Sequence, residues 1–315
     1  MSQFPGAISF RPNNTATLFG PTRVPVLPGI TLVTSNGYNP LFAGTPLFWL
    51  DAADAATTQL TSGNVTTWLD KSGNGRNATQ AITSNAPTLV TAGQNGLNTL
   101  SFSGTPGSSG TCLNLPNFTT VPFTMFLVCK YDTLSAQSFA YSMVGSGFSP
   151  TFRYSGGGTS YTLNAIGIDN GGGGTRYAGL TEAGGPLANT GFNIHNFQLP
   201  ASSAGTLFMN GVAGCNVDGF TYASGTNYTF PTIGGFAQAP TNSPFNGTMC
   251  EMVWYNATLS TDDRQKMEGY LAWKWGLQGQ LPAAHPYKTI NIYAQPQLVP
   301  LIQGRFSMPL SLSLK

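Results

Sequence analysis

Charge is what this sequence has least of. Asp, Glu, Lys and Arg make up 8% of its 315 residues, against about 25% in an ordinary globular protein. The 13 basic and 11 acidic residues leave a net charge of +2 and are scattered thinly. No basic cluster could neutralise several phosphates, which argues against a nucleic-acid partner. Long apolar runs are missing too: none approaches the roughly 18 residues that cross a bilayer, so no membrane span is expected. The opening MSQFPGAISF has neither a basic n-region nor a long apolar core and does not read as a secretory signal. The cysteines Cys112, Cys129, Cys215 and Cys250 lie far apart with no CxxC pair. Without a signal they read as free thiols rather than bridges, although the sequence leaves their redox state open. For the same reason the seven N-x-[ST] triplets, at Asn13, Asn64, Asn77, Asn117, Asn227, Asn246 and Asn256, read as a by-product of Asn- and Thr-rich composition rather than as glycan sites.

What is present points to β-structure. Glycine (39) and proline (22) are abundant and aromatics reach 12%, a composition suited to short strands and tight turns. Strand patterns recur from Phe48 onward. The strongest is Phe123 to Tyr131, FTMFLVCKY, a continuous apolar run fit for a central strand. Thr206 to Val212 contains Asn210-Gly211, a type I′ hairpin signal. Gly247 to Tyr255 is the last strand before the one convincing helix, predicted over about 261–276. Ser260 stands at its N-cap with Asp263 as reciprocal partner. Met267, Tyr270, Leu271, Trp275 and Leu277 form its apolar stripe. Asp262–Lys266 and Arg264–Glu268 are i,i+4 pairs assigned to its polar side. The glycine tracts 156–158 and 171–174 read as loops.

Three blocks carry a resemblance. FWLDAADAATTQLTSGNVTTWLDKSGNGRNATQ (48–80), GTMCEMVWYNATLS (247–260) and EGYLAWKWGLQGQLPAAHPYK (268–288) are similar to the opening, the strand feeding the closing helix, and the closing helix of concanavalin A-like lectin/glucanase domains. The form they resemble is the laminin-G-type sandwich found in large DNA virus and phage proteins. The resemblance implies an all-β, two-sheet antiparallel jelly-roll sandwich over residues 44–288 with one C-terminal amphipathic helix. Residues 1–43 and 289–315 are then extended terminal arms, nearly uncharged. One fold hosts many activities, so the resemblance speaks to fold before function.

Catalysis finds little to work with. Glycoside hydrolysis needs two carboxylates about 5–10 Å apart, yet none of the three glutamates, Glu182, Glu251 and Glu268, has a second acid within two residues. Glu251 resembles the family's usual strand glutamate and is taken as structural, and Glu268 as part of the helix's polar face. His195 and His285 are far apart and form no zinc spacing with cysteine. His285 matches the family's closing turn. No catalytic, cofactor-binding or metal residue is therefore assigned, and no cofactor is expected. Asp51, Asp54, Asp70 and Asn74 could converge as oxygen ligands for Ca²⁺. The alternative is that Asp70 to Gly75 is a tight turn whose Asp and Asn bond their own backbone. Tyr154, Tyr161 and Tyr177 are candidates for stacking on sugar rings, or else core residues.

These readings combine into an expectation of a non-enzymatic structural virion protein: a minor capsid, decoration or fibre component. Its terminal arms would bind other capsid subunits in a homo-oligomer, and host glycans are a secondary ligand. The alternative is a secreted, extracellular carbohydrate-binding or adhesion module; the third reading is a glycoside hydrolase.

Overall fold

The structure, a computed structural model, describes residues 31–35, 37–104, 110–119, 122–132, 138–145, 151–155, 165–169, 190–201, 205–217, 227–235, 244–294 and 297–301. Among these residues there is one α-helix, α1 (Thr261–Trp275), and otherwise strands and short 3-10 turns. A compact unit runs from Asn36 to Gln297. Its ladders are antiparallel and fall into two sets.

In the first set Gly247–Tyr255 is central. It pairs on one side with Phe123–Tyr131 and on the other with Phe48–Asp51 and Leu97–Phe102. Phe123–Tyr131 continues to Asn193–Leu199, then to the hairpin Gly205–Met209 and Val212–Val217. The second set runs Thr58–Thr61, Asn64–Trp68, Ala78–Thr79, Leu113–Asn114, Asn227–Ile233, Ser138–Gly145, Thr151–Ser155 and Ala165–Asp169. Thr88–Gln94, which pairs with Leu97–Phe102, also bridges to Asn64 at Thr88 and so links the two sets.

Two apolar clusters explain this arrangement. One holds side chains from both sets, including Phe48, Trp68, Leu127, Phe197, Ile233 and Trp254, and is the sandwich core. The other lies under α1 and includes Phe126, Val128, Val253, Tyr270, Leu271 and Trp275. Phe123–Tyr131 serves both, with Met125, Leu127 and Cys129 in the core and Phe126 and Val128 under the helix. A strand covered on both faces has no polar side, hence its unbroken apolar run. Each of these fully buried side chains contributes about 1.5–3 kcal/mol.

Local signals behave as the sequence indicates. Ser260 Oγ accepts from Asp263 N (3.1 Å), and Gly276 closes α1 in the left-handed conformation at φ 71°. Asn210 and Gly211 have φ of 51° and 78°, the pair that a type I′ turn requires. The assignment of Glu268 and Arg264 to a polar face is corrected. Glu268 is fully buried and Arg264 nearly so, joined at 2.6 Å. The guanidinium lies 4.0 Å from the Phe208 ring, and His285 Nε2 is 3.1 Å from the other Glu268 oxygen. Strand and C-terminal turn cover the side of α1 that spacing alone would leave in water. Asp262–Lys266 does stay outside, at 2.5 Å.

Packing continues beyond residues 44 and 288. Tyr38 and Ile292 join the cluster under α1, and Tyr38 N donates to Ile292 O at 3.0 Å. Separately, Thr31–Ser35 and Gln297–Leu301 form a two-stranded sheet, so the two arms pair with each other.

Candidate functional site

The seam between α1 and the sandwich gathers much of the chain's scarce charge. Tyr270 and Lys274 lie one turn apart on the same side of α1. Opposite them, Asp51 and Glu251 are direct partners in the ladder. Strand alternation would send Glu251 into the sandwich core, because Met249 already points there. A bulge opposite Val128 and Cys129 skips Cys250 in the pairing, so Cys250 and Glu251 both face the helix. Here the backbone irregularity aims the acid.

Glu251 is enclosed by four donors. Oε1 accepts from Trp49 Nε1 (2.7 Å) and Tyr270 Oη (2.9 Å); Oε2 accepts from Lys274 Nζ (2.7 Å) and Trp275 Nε1 (2.9 Å). Lys274 Nζ also reaches Asp51 Oδ1 at 2.7 Å and Tyr270 Oη at 3.1 Å. Asp51 Oδ2 in turn binds Lys71 Nζ at 2.9 Å, and Lys71 binds Asp54 Oδ2 at 2.8 Å. The result is a chain of alternating sign from a side chain with no exposure, Glu251, to one 38% exposed, Asp54.

Burial pushes the Glu251 carboxyl above the ordinary range, and the Lys274 ammonium opposes that rise. Burial would lower Lys274, but Glu251 and Asp51 outweigh it and hold the amine up. Lys71 is raised in the same way: Asp51 and Asp54 overcome its burial. Asp54 is lowered by its bond to Lys71. Both Glu251 oxygens carry two donors each, which occupies their lone pairs.

Beside this chain lies a cleft of about 330 Å³. Asp51, Asp54, Lys71 and Lys274 line it on the charged side, and Trp49, Tyr38, Tyr270 and Tyr293 on the aromatic side. Glu251 does not line it. Lys71 sits 4.5 Å from the Trp49 ring centroid, a cation–π contact. Gly37, at φ 96°, lets the wall close: a Cβ there would fall 1.6 Å from Tyr293 O.

The four residues weighed as oxygen ligands, Asp51, Asp54, Asp70 and Asn74, separate into two groups. Asp51 and Asp54 meet at Lys71. Asp70 instead caps its own turn: Oδ1 accepts from Trp49 N (2.9 Å) and Ser72 N (2.8 Å), and Oδ2 from Ser72 Oγ (2.8 Å) and Arg76 N (3.0 Å). Asn74 Nδ2 donates to Pro46 O and Leu47 O at 2.9 and 3.1 Å. This is the turn geometry weighed against a metal site. Among the described residues no group of three or more His, Cys, Asp or Glu is placed to hold a metal.

His285 Nδ1 accepts from Tyr287 N, which leaves the proton on Nε2 to face Glu268. His195 is fully buried in its strand, and burial lowers its pKa to about 3. Cys112, Cys129 and Cys250 are buried free thiols, and burial raises Cys112 to about 11; the side chain of Cys215 lies outside the described residues. So do Tyr161 and Tyr177, while Tyr154 is described only as backbone of Thr151–Ser155. Sequence reasoning missed the Glu251–Lys274–Asp51 cluster. Its available signal was a lysine between tryptophans in AWKW in a chain that spends charge sparingly.

No family model and no curated protein matches the chain. Solved structures give partial likenesses. Domain 4 of AbnA, an extracellular arabinanase from Geobacillus stearothermophilus, is 13% identical over 70% of this chain and 96% of that domain, with a TM-score of 0.46. A GH54 α-L-arabinofuranosidase is 17% identical over 81% of this chain and 61% of its own, also at 0.46. A Trypanosoma rangeli sialidase is 13% identical at 0.44, and this chain spans 32% of its length. At such values the likeness assigns this chain neither a ligand nor a reaction.

Proposed function

We propose that this chain is a non-enzymatic structural protein of a virus particle. In this reading it is a concanavalin A-like, laminin-G-type jelly-roll sandwich held in a homo-oligomeric setting by its terminal arms. The observation that carries the non-enzymatic part is Glu251. It is the acid at the centre of the seam, every lone pair is engaged, and it lies off the cleft. A general acid or base must touch the substrate it serves, and a glycan lying in the cleft would not meet Glu251.

The arms support the anchoring part. Thr31–Ser35 and Gln297–Leu301 form a sheet of only two strands among the described residues. A two-stranded ribbon is marginal in water, and its outer edges offer unpaired donors and acceptors that a neighbouring subunit's strands can complete. Sedimentation velocity on the full chain and on residues 36–297 tests this. The full chain should self-associate or join particles, while the truncation stays folded and monomeric. A monomeric full chain, together with normal particle entry of the truncation, would refute the proposal.

A second reading is glycan binding in the cleft, favoured by Tyr293. That ring is 36% exposed and its centroid is 5.8 Å from that of Tyr270. An exposed ring next to an Asp–Lys pair offers a sugar both a stacking face and paired hydrogen bonds. Tyr293→Ala should abolish glycan-array signal if this reading holds, and an array blank with the wild type would sink it.

A further inference from the structure

The seam between α1 and the sandwich has the parts of a reaction that needs no outside substrate. Lys274 Nζ lies 2.7 Å from Asp51 Oδ1 and 2.7 Å from Glu251 Oε2, with the three side chains exposed by 4%, 4% and 0%. We propose that Lys274 and Asp51 condense into an intramolecular isopeptide bond, with Glu251 as the proton shuttle, stapling α1 to the strand Phe48–Asp51.

The chemistry balances within the cluster. Glu251 takes one proton from the Lys274 ammonium along their 2.7 Å contact, against the ion pairing that keeps the amine charged at rest, and so leaves a neutral amine for attack. The amine attacks Asp51 Cγ. Negative charge develops on Oδ2, which the Lys71 ammonium holds at 2.9 Å. Oδ1, on the Lys274 side, is the leaving oxygen. Glu251 hands it the first proton and then relays a second from Nζ, so Oδ1 departs as water. Nζ began with three protons and ends with one, as an amide nitrogen; Oδ2 becomes the amide oxygen. Glu251 is a carboxylate again and Lys71 is still an ammonium. No oxidant, metal or activated group is consumed.

Three features favour this over a resting ion pair. Asp51 and Glu251 are opposite one another in the ladder and grip the same nitrogen from both sides. Holding reactants in contact is worth effective molarities of about 10⁵–10⁸ M. The aromatic cage of Trp49, Tyr270 and Trp275 keeps bulk water from Glu251, while Asp51 and Lys274 line the cleft, which gives the released water a way out. The bond would join the strand that follows the N-terminal arm to the helix that precedes the C-terminal arm. Force applied through the arms would then meet a covalent link.

Intact-mass spectrometry on the purified full chain tests this without any variant. The expected mass is one water below the sequence mass, with a tryptic species joining the Asp51 and Lys274 peptides. A folded wild-type chain at its full sequence mass, with those peptides separate, would overturn the proposal. Lys274→Arg should run unlinked, and Asp51→Asn should lose ammonia in place of water. Glu251→Gln should stay unlinked with a native circular dichroism spectrum; a linked Glu251→Gln would overturn the role given to Glu251.

Discussion

Trp275→Phe isolates one part of the seam. The ring is fully buried under α1, and its Nε1 donates to Glu251 Oε2 at 2.9 Å. Phenylalanine keeps most of the apolar contact and removes the donor. A hydrogen bond to a charged group contributes about 1.5–3 kcal/mol, and a buried acceptor left short of a partner loses in that range. Trp275→Ala adds the cavity left by the ring, about 3–5 kcal/mol. That loss approaches the whole stability of a marginal domain, about 5–15 kcal/mol. The phenylalanine variant is therefore the informative one. Equilibrium urea denaturation at neutral pH should show a lower midpoint at unchanged slope, corresponding to about 1.5–3 kcal/mol. A loss below about 0.5 kcal/mol would mean the indole does not hold Glu251, and the seam as described would fall.

Other consequences are as direct. His195, lowered to about 3 by burial, stays neutral in the folded chain while the unfolded chain binds a proton below its ordinary pKa. Its contribution is thus complete above about pH 6.5 and is lost as pH falls, by about 2–3 kcal/mol at about pH 4.5; a His195→Gln variant should lack that part of the acid sensitivity in urea melts. Glu268→Ala strands the buried Arg264 guanidinium and should cost about 3–5 kcal/mol, whereas a cost near zero would return the pair to the surface. Gly211→Ala forces a left-handed residue, with its Cβ 3.0 Å from His285 Cδ2, and should cost about 1–3 kcal/mol by thermal melt.

The parts legible in the sequence are those set by neighbours along the chain. Ser260 and Asp263 announce the start of α1, Gly276 its end, and Asn210-Gly211 the hairpin, because caps and turns are decided within a few residues. The unbroken run Phe123–Tyr131 is legible for a different reason: two layers cover it, and each demands apolar side chains. The candidate site follows from contacts that spacing does not encode. Glu251 faces the helix because a bulge skips Cys250, and a bulge leaves no reliable mark in residue order. Glu268 and Arg264 look solvent-facing by their i,i+4 spacing, yet Phe208 and His285 close over them from distant segments. Asp51 and Lys274 are 223 positions apart in number and meet only through the fold.

The central claim is that Glu251 organises the seam and does not turn over a substrate. Reducing-sugar release from a panel of β-glucans, arabinans and sialylated glycans, run with wild type and Glu251→Gln side by side, tests it most directly. The account predicts no release above buffer from either protein. Release by the wild type that disappears in a folded Glu251→Gln variant would contradict it.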